Sequence, residues 1–287
     1  MGGIVIKIKG FKFIKLDSRT LFLFTFLITI SLFNNGLDKL ERHFYGVKVG
    51  VTVDTYNAEG LLPDEVRLVV EELAVKYQTL PVEPSIDRVT GEIIPEQEGV
   101  VVDIEKSVSK ILSAQENEKV SLYFIKVPPV HSSEELKNLN KVLGYYETGI
   151  AGSYQRHNNI KLASQGINNV LLWPGEVFSF NEIVGPRTVE RGYLPAPVIL
   201  MGSTSLDYGG GVCQVSSTLY NAVLNTKLKV IERHPHTKPV YYVPKGKDAT
   251  VSYGGADFKF KNVLDEPVLI KSGVSGGKIW VQIRGRS

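Results

Sequence analysis

The sequence predicts an α+β protein in three parts: an N-terminal membrane anchor, a small α+β domain, and a larger α+β domain in which a cysteine opens a helix and an antiparallel sheet follows. Three observations lead there. A lysine-rich stretch precedes an apolar run near the N-terminus. Helix-period and strand-period segments then alternate in two blocks, separated by a polar stretch. Finally, the sole cysteine follows three consecutive glycines at the head of an amphipathic run. The expected boundaries are 1–45 for the anchor, 46–130 for the small domain, 131–145 for a linker and 146–287 for the second domain.

The anchor is read from Lys7, Lys9, Lys12, Lys15 and Arg19, which precede the apolar run Leu21 to Phe33. A basic flank and a hydrophobic core form the layout of an export signal. The core is about 13 residues, short of the roughly 20 of a full span. Extended from Thr20 through Leu37, the uncharged stretch suits an uncleaved signal anchor, since no small-x-small cleavage site follows it. The basic residues would stay in the cytoplasm, which puts the bulk of the chain outside the cell membrane.

In the small domain, Val47, Val49, Val51 and Val53 alternate as a half-buried strand does. Pro63-Asp64-Glu65 opens a helix whose apolar face is Val66, Val69, Val70, Leu73, Ala74 and Tyr77. Asp87 to Gly91 is a turn, Asp103 caps a second helix bearing Val108 and Ile111, and Val120 to Val127 reads as a strand. The acids Asp87, Glu92, Glu96 and Asp103 serve turns, surface and caps rather than catalysis. Asp87-Arg88-Val89-Thr90-Gly91-Glu92 with Gly99-Val-Val-Val-Asp103 resembles a peptidoglycan-binding domain that precedes wall-modifying catalytic domains, which implies that this part touches the wall or spaces the next domain from the membrane.

Arg156 to Leu172 is helical in period, with Ile160, Ala163, Ile167, Val170 and Leu171 on one side; Trp173-Pro174-Gly175 ends it. Tyr208-Gly209-Gly210-Gly211-Val212-Cys213-Gln214 then leads into a helix with the stripe Val212, Val215, Leu219, Ala222 and Val223. Cys213 falls on the first turn, off the stripe. A helix N-terminus stabilises a thiolate, and its free N–H groups can bind an oxyanion. Gly210, Gly211 and Gln214 are therefore candidate substrate contacts. A thiol nucleophile needs a base, and Glu232-Arg233-His234-Pro235-His236 supplies two histidines; His236 is preferred and His234 stays open. Asp248 or Asp257 would orient the imidazole. Arg187, Arg191 or Arg233 would hold a carboxylate. The order Cys, His, Asp matches papain-like acyl-transferases in layout alone.

The full length of 287 residues with 43% hydrophobic content suffices for two ordinary domains. A net charge of +3 does not point to nucleic acid. One cysteine excludes an intrachain disulfide and a thiolate-rich metal centre, and two histidines flanking a proline chelate poorly. No cofactor and no metal is expected.

Asn158-Asn-Ile160, Pro174-Gly-Glu-Val-Phe-Ser-Phe-Asn181, Gly185-Pro-Arg187, Gly209-Gly-Gly-Val-Cys-Gln214, Glu232-Arg-His-Pro-His236 and Asp248-Ala-Thr-Val251 together resemble the VanW-like domain, over about residues 146 to 272. The resemblance implies a cysteine acyl-transferase of L,D-transpeptidase type acting on peptidoglycan stem peptides, with Cys213 as nucleophile and His236 as base. Two other readings compete with it: a non-catalytic binder of cell wall or lipid intermediates, and a structural envelope protein with an inert cysteine.

Overall fold

The computed structural model describes residues 18–200 and 203–286. The basic residues Lys7 to Lys15 of the expected anchor lie outside them. Six helices are present among the described residues: α1 (Ser18–Tyr45), α2 (Pro63–Tyr77), α3 (Ile104–Leu112), α4 (Tyr154–Ile167), α5 (Phe180–Val184) and α6 (Val212–Leu224). The segment expected to anchor the chain is thus helical, but among the described residues no helix is long and apolar enough to cross a membrane.

The chain divides into two compact units. One holds the residues up to Pro81 together with Glu98–Pro128; the other holds Val82–Gln97 and everything from Pro129 onward. In the first unit, α2 begins at Pro63, and the Glu65 carboxylate accepts from the Leu62 amide at 2.8 Å and from Arg42 at 2.6 and 2.8 Å. Its buried face is Val66, Val70, Leu73 and Ala74, the apolar stripe read from spacing, while Tyr77 is exposed. Asp103 caps α3 by accepting from the Lys106 amide at 3.0 Å. The valine alternation departs from a simple strand: only Thr52–Val53 pairs, and Val49 is exposed while Val47, Val51 and Val53 are buried. The cause is Gly50, whose φ of 71° turns the chain out of extended geometry.

In the second unit, Val82–Gln97 forms a hairpin around the Asp87 turn, whose carboxylate accepts from the Val89 and Thr90 amides. The stretch expected as a linker carries local structure. Ser133–Leu136 is a 3-10 turn, and Lys141–Gly149 is an edge strand. Leu136 and Leu139 are buried beside Ile86 and Leu269, which explains why this polar-looking stretch does not hang free.

Four antiparallel strands form the main sheet, in the order Lys141–Gly149, Lys278–Gly285, Val268–Ser275, Val170–Leu172. The last of these was expected to continue α4. Asn169, with φ 59°, ends the helix, and Val170 to Leu172 then pair with Ile270 to Val268. A three-stranded sheet, Val177–Ser179, Lys259–Lys261 and Lys229–Glu232, and a hairpin of Ala196–Leu200 with Ser203–Asp207 complete the unit. Helices α4 and α6 pack on the main sheet. Ile160, Ala163 and Ile167 from α4 and Val215, Leu219 and Ala222 from α6 are fully buried with Ile270, Ile279, Val281 and Ile283. Phe178 and Phe260 stack at 4.8 Å where the smaller sheet joins this core.

Candidate active site

Helix α6 carries two faces. Its apolar stripe is buried in the core, as described. Its second face is polar and sews a loop to the helix. Ser216 donates to the Ala249 carbonyl at 2.6 Å, Ser217 accepts from the Ala249 amide at 2.9 Å, and Asn221 donates to the Lys247 carbonyl at 2.6 Å. Residues 247 to 251 are thereby fixed along the helix, and Val251 flanks the Cys213 sulfur: its amide lies 3.5 Å and its carbonyl 3.4 Å from Sγ. The Thr250 amide donates to the His234 carbonyl at 2.8 Å, which brings the Glu232 to His236 segment against this loop.

The result is a contiguous group. The Asp248 carboxylate accepts from the His236 amide at 2.6 Å and sits 2.7 Å from His236 Nδ1. The His236 ring interacts in turn with the Cys213 thiol, and the two line the same cavity. Burial alone would lower the imidazole pKa; the hydrogen bond and charge of Cys213, then those of Asp248, outweigh it and raise the group above its ordinary value. Burial alone would raise the Asp248 carboxyl, but the amide and ring of His236 hold it below the usual carboxylate range. Cys213 is half-buried, and both it and His236 line a cavity of about 970 Å³. The arrangement can pass a proton between sulfur and imidazole, with a carboxylate fixing the ring.

The other expected residues fall differently. The His234 ring goes to Glu232 at 2.9 Å and is half exposed; Pro235 breaks the alternation that would have kept it on the His236 face. Asp257 does not reach the imidazole. It holds the corner at Ser179 and Asn181, accepting from the Ser179 hydroxyl at 2.6 Å and the Asn181 amide at 2.9 Å. Arg233 donates to the Asp248 carbonyl at 2.6 Å and to its carboxylate at 2.9 Å, so it steadies Asp248 rather than facing the cavity. Gln214 is fully buried, and its side chain is spent on Thr148, the Gly149 carbonyl and Arg156. Its amide is bonded to the Gly211 carbonyl at 3.0 Å, as the Val212 amide is to Gly209. Among the described residues, nothing accepts from the Cys213 amide between them. Gly210 is packed in the wall: a Cβ there would lie 2.6 Å from the Ala196 Cβ. Gly211, at φ 104°, turns the chain into α6 with Ile160 and the Arg156 carbonyl behind it. Arg187 does line the cavity.

Several residues at the site were assigned no role by sequence reasoning. Asn159, fully buried on α4, donates to the Leu194 and Gly210 carbonyls and so ties the glycine turn to that helix. Its signal was a polar residue in line with Ala163 and Ile167 at four-residue spacing. Arg156, Tyr241, Tyr242 and Tyr253 line the cavity from segments without a motif. Burial, then the charge of Cys213, holds the Tyr242 phenol well above its ordinary range. Among the described residues, no three His, Cys, Asp or Glu side chains converge as a metal site.

Comparisons with known proteins agree with these motifs. Residues 155–284 match the family model described as VanW like protein. Among curated proteins, the chain is 39% identical over 198 residues to the uncharacterized protein YoaR of Bacillus subtilis, an alignment that covers 67% of this chain and 65% of YoaR. It is 35% identical over 127 residues to the vancomycin B-type resistance protein VanW of Enterococcus faecalis, covering 42% of this chain and 46% of that protein. The chain therefore spans somewhat under two thirds of the first relative and under half of the second. No solved structure matches. Residues 155–284, which hold Cys213, His236 and Asp248, are a VanW-like domain.

Proposed function

We propose that this is a cell-wall protein of the envelope, a cysteine acyl-transferase of L,D-transpeptidase type acting on peptidoglycan stem peptides. The observation that carries the reading is His236, hydrogen-bonded to Asp248 and interacting with Cys213, with Cys213 and His236 opening on one large cavity. A structural cysteine has no use for an oriented imidazole beside it. Cys213 Sγ attacks the carbonyl carbon of an L-to-D peptide bond in the donor stem; its proton goes to His236. The Cys213 amide, which has no acceptor among the described residues, would donate to the developing oxyanion. As the C–N bond breaks, His236 returns the proton to the leaving amine, and a thioester remains on Sγ. The amine of a second stem attacks that carbonyl, its proton passes to His236, the C–S bond breaks and the thiol is restored. Water in place of the amine gives hydrolysis.

The N-terminal segment would hold the protein at the membrane with its bulk outside, a reading supported by the basic flank and apolar run of the sequence. The Asp87 to Asp103 segment, whose Asp87 hairpin belongs to the second unit and whose Gly99 to Asp103 stretch belongs to the first, would contact the wall, a reading supported by its motif alone. The test is to incubate the protein with disaccharide-tetrapeptide stems and separate the products by mass. Cross-linked or trimmed stems from wild type and none from Cys213→Ala are expected. Stems that bind equally to both forms and return unchanged would replace the enzyme with a binding module.

A further inference from the structure

Four arginines surround the candidate site, and three are engaged. Arg156 donates to Gln214 at 2.7 Å, Arg191 to the Pro186 carbonyl at 3.0 Å, and Arg233 to Asp248. Arg187 differs. Its Nη1 and Nη2 are both buried, and among the described residues neither has a hydrogen-bond acceptor. The guanidinium instead lies over the rings of Phe180 at 5.6 Å and Tyr253 at 6.0 Å. Withdrawing a guanidinium from water without supplying an acceptor is costly, so the arrangement is complete only with an anion. Burial accordingly pulls the Arg187 pKa below its ordinary value, against the opposing charges of Tyr193, Cys213 and Asp257.

The surroundings favour an acid from outside the chain. Arg187 lines the same cavity as Cys213 and His236. The nearby Asp257 is already committed to Ser179, Asn181 and the Phe258 amide. Asp207 is the one carboxylate in the cavity wall among the described residues, and its Oδ1 accepts from the Tyr208 amide. The wall thus carries two guanidinium groups and an imidazole against a single acid. The planar fork of an arginine matches a carboxylate in two parallel hydrogen bonds. No existing hydrogen bond of the Arg187 fork has to break for the side chain to turn towards one.

We infer that Arg187 is a carboxylate receptor inside the site, and that it restricts acylation of Cys213 to donors presenting a free carboxylate near the scissile bond. The restriction on acylation rests on the acyl-transfer reading; carboxylate recognition by Arg187 does not. The carboxylate has two possible sources in a peptide donor: the C-terminal carboxylate of the leaving residue, or a side-chain carboxylate of the residue that is acylated.

Two measurements separate these points. The first needs no substrate. Iodoacetate and iodoacetamide alkylate the same sulfur, each losing iodide, and differ in the carboxylate. The ratio of their rates at Cys213 should be about tenfold higher in wild type than in Arg187→Gln, a difference of about 1.4 kcal/mol. Arg187→Lys keeps the charge but not the fork and should fall between them; Arg67→Gln, in the first unit, should match wild type. A ratio unchanged in both Arg187 variants overturns the inference, and the lysine form decides it if the glutamine form does not fold. The second measurement is calorimetric binding of tetrapeptide stems to Cys213→Ala, with either carboxylate amidated in turn. One amidation should weaken binding at least tenfold, and only while Arg187 is present; its position identifies the source. Equal binding of acid and amide donors overturns the inference. If acid preference holds but no donor acylates the wild-type thiol, the receptor stands and the reaction proposed above fails.

Discussion

Replacing Asp248 by asparagine should both loosen the second unit and change the titration of His236. Three donors converge on the carboxylate: the His236 amide at 2.6 Å, His236 Nδ1 at 2.7 Å and Arg233 Nη2 at 2.9 Å. The group is only 10% exposed, and its partners Arg233 and His236 are 21% and 14% exposed, so solvent screens these pairs little. Hydrogen bonds to a charged group at such a site contribute about 1.5–3 kcal/mol each. An asparagine oxygen can still accept from one side, whereas its NH₂ meets a donor on the other. The net loss is therefore about 2–4 kcal/mol, less than the sum of three bonds. The protein's two tryptophans, Trp173 and Trp280, both lie in the second unit, so urea unfolding followed by tryptophan fluorescence reports on it alone. Without the carboxylate, the His236 pKa should also drop, which a ring-proton NMR titration reads directly. An Asp248→Asn protein with unchanged unfolding midpoint and unchanged His236 titration would refute the role assigned to this contact.

The pH dependence of stability follows from the same pair. His236 is raised above its ordinary value of 6.5, so its contribution is full below that pH and is lost as pH rises through the folded value. Asp248 is depressed below 3.8, so its contribution is present above that pH and is lost as pH falls through the folded value. The tryptophan-monitored midpoint should therefore decline on both sides, and His236→Gln should abolish the decline on the alkaline side. Gly211→Ala would force a side chain into φ 104° and place its Cβ 2.9 Å from the Ile160 side chain. It should cost at least about 2 kcal/mol in the same unfolding assay and slow alkylation of Cys213. Gln214→Leu removes the partner of Thr148, Gly149 and Arg156, and should cost about 2–4 kcal/mol while leaving the His236 titration unshifted.

What was legible in the sequence was local. The stripe Val212, Val215, Leu219 fixes the buried face of α6, and three glycines fix its start, so Cys213 had to lie on its first turn, off that stripe. Which acid and which imidazole meet it depends on loops that no periodicity governs. Asp248 reaches His236 because Ser216, Ser217 and Asn221 sew residues 247 to 249 to the helix, a use of polar residues that looks like ordinary surface in one dimension. Pro235 hid the choice between His234 and His236. Gln214, Gly210 and Arg233 stand beside the site in sequence but turn their hydrogen bonds or packing into its walls, since nearness along the chain says little about which side of a wall a group faces. Val170 to Leu172 continued the helical period of α4 until Asn169 broke it, and those apolar residues served a strand equally well. In the small domain, Gly50 did the same to the valine alternation.

The proposed function depends on acylation of Cys213 with His236 as its proton partner. Rapid quenching of the full-length protein with a tetrapeptide stem, followed by intact-mass and fragment analysis, tests it most directly. A thioester is expected on the peptide containing Cys213 in wild type, none in Cys213→Ala, and formation slowed about 100-fold or more in His236→Gln. Turnover of stems by Cys213→Ala, or an acyl adduct that forms equally fast without His236, would contradict it.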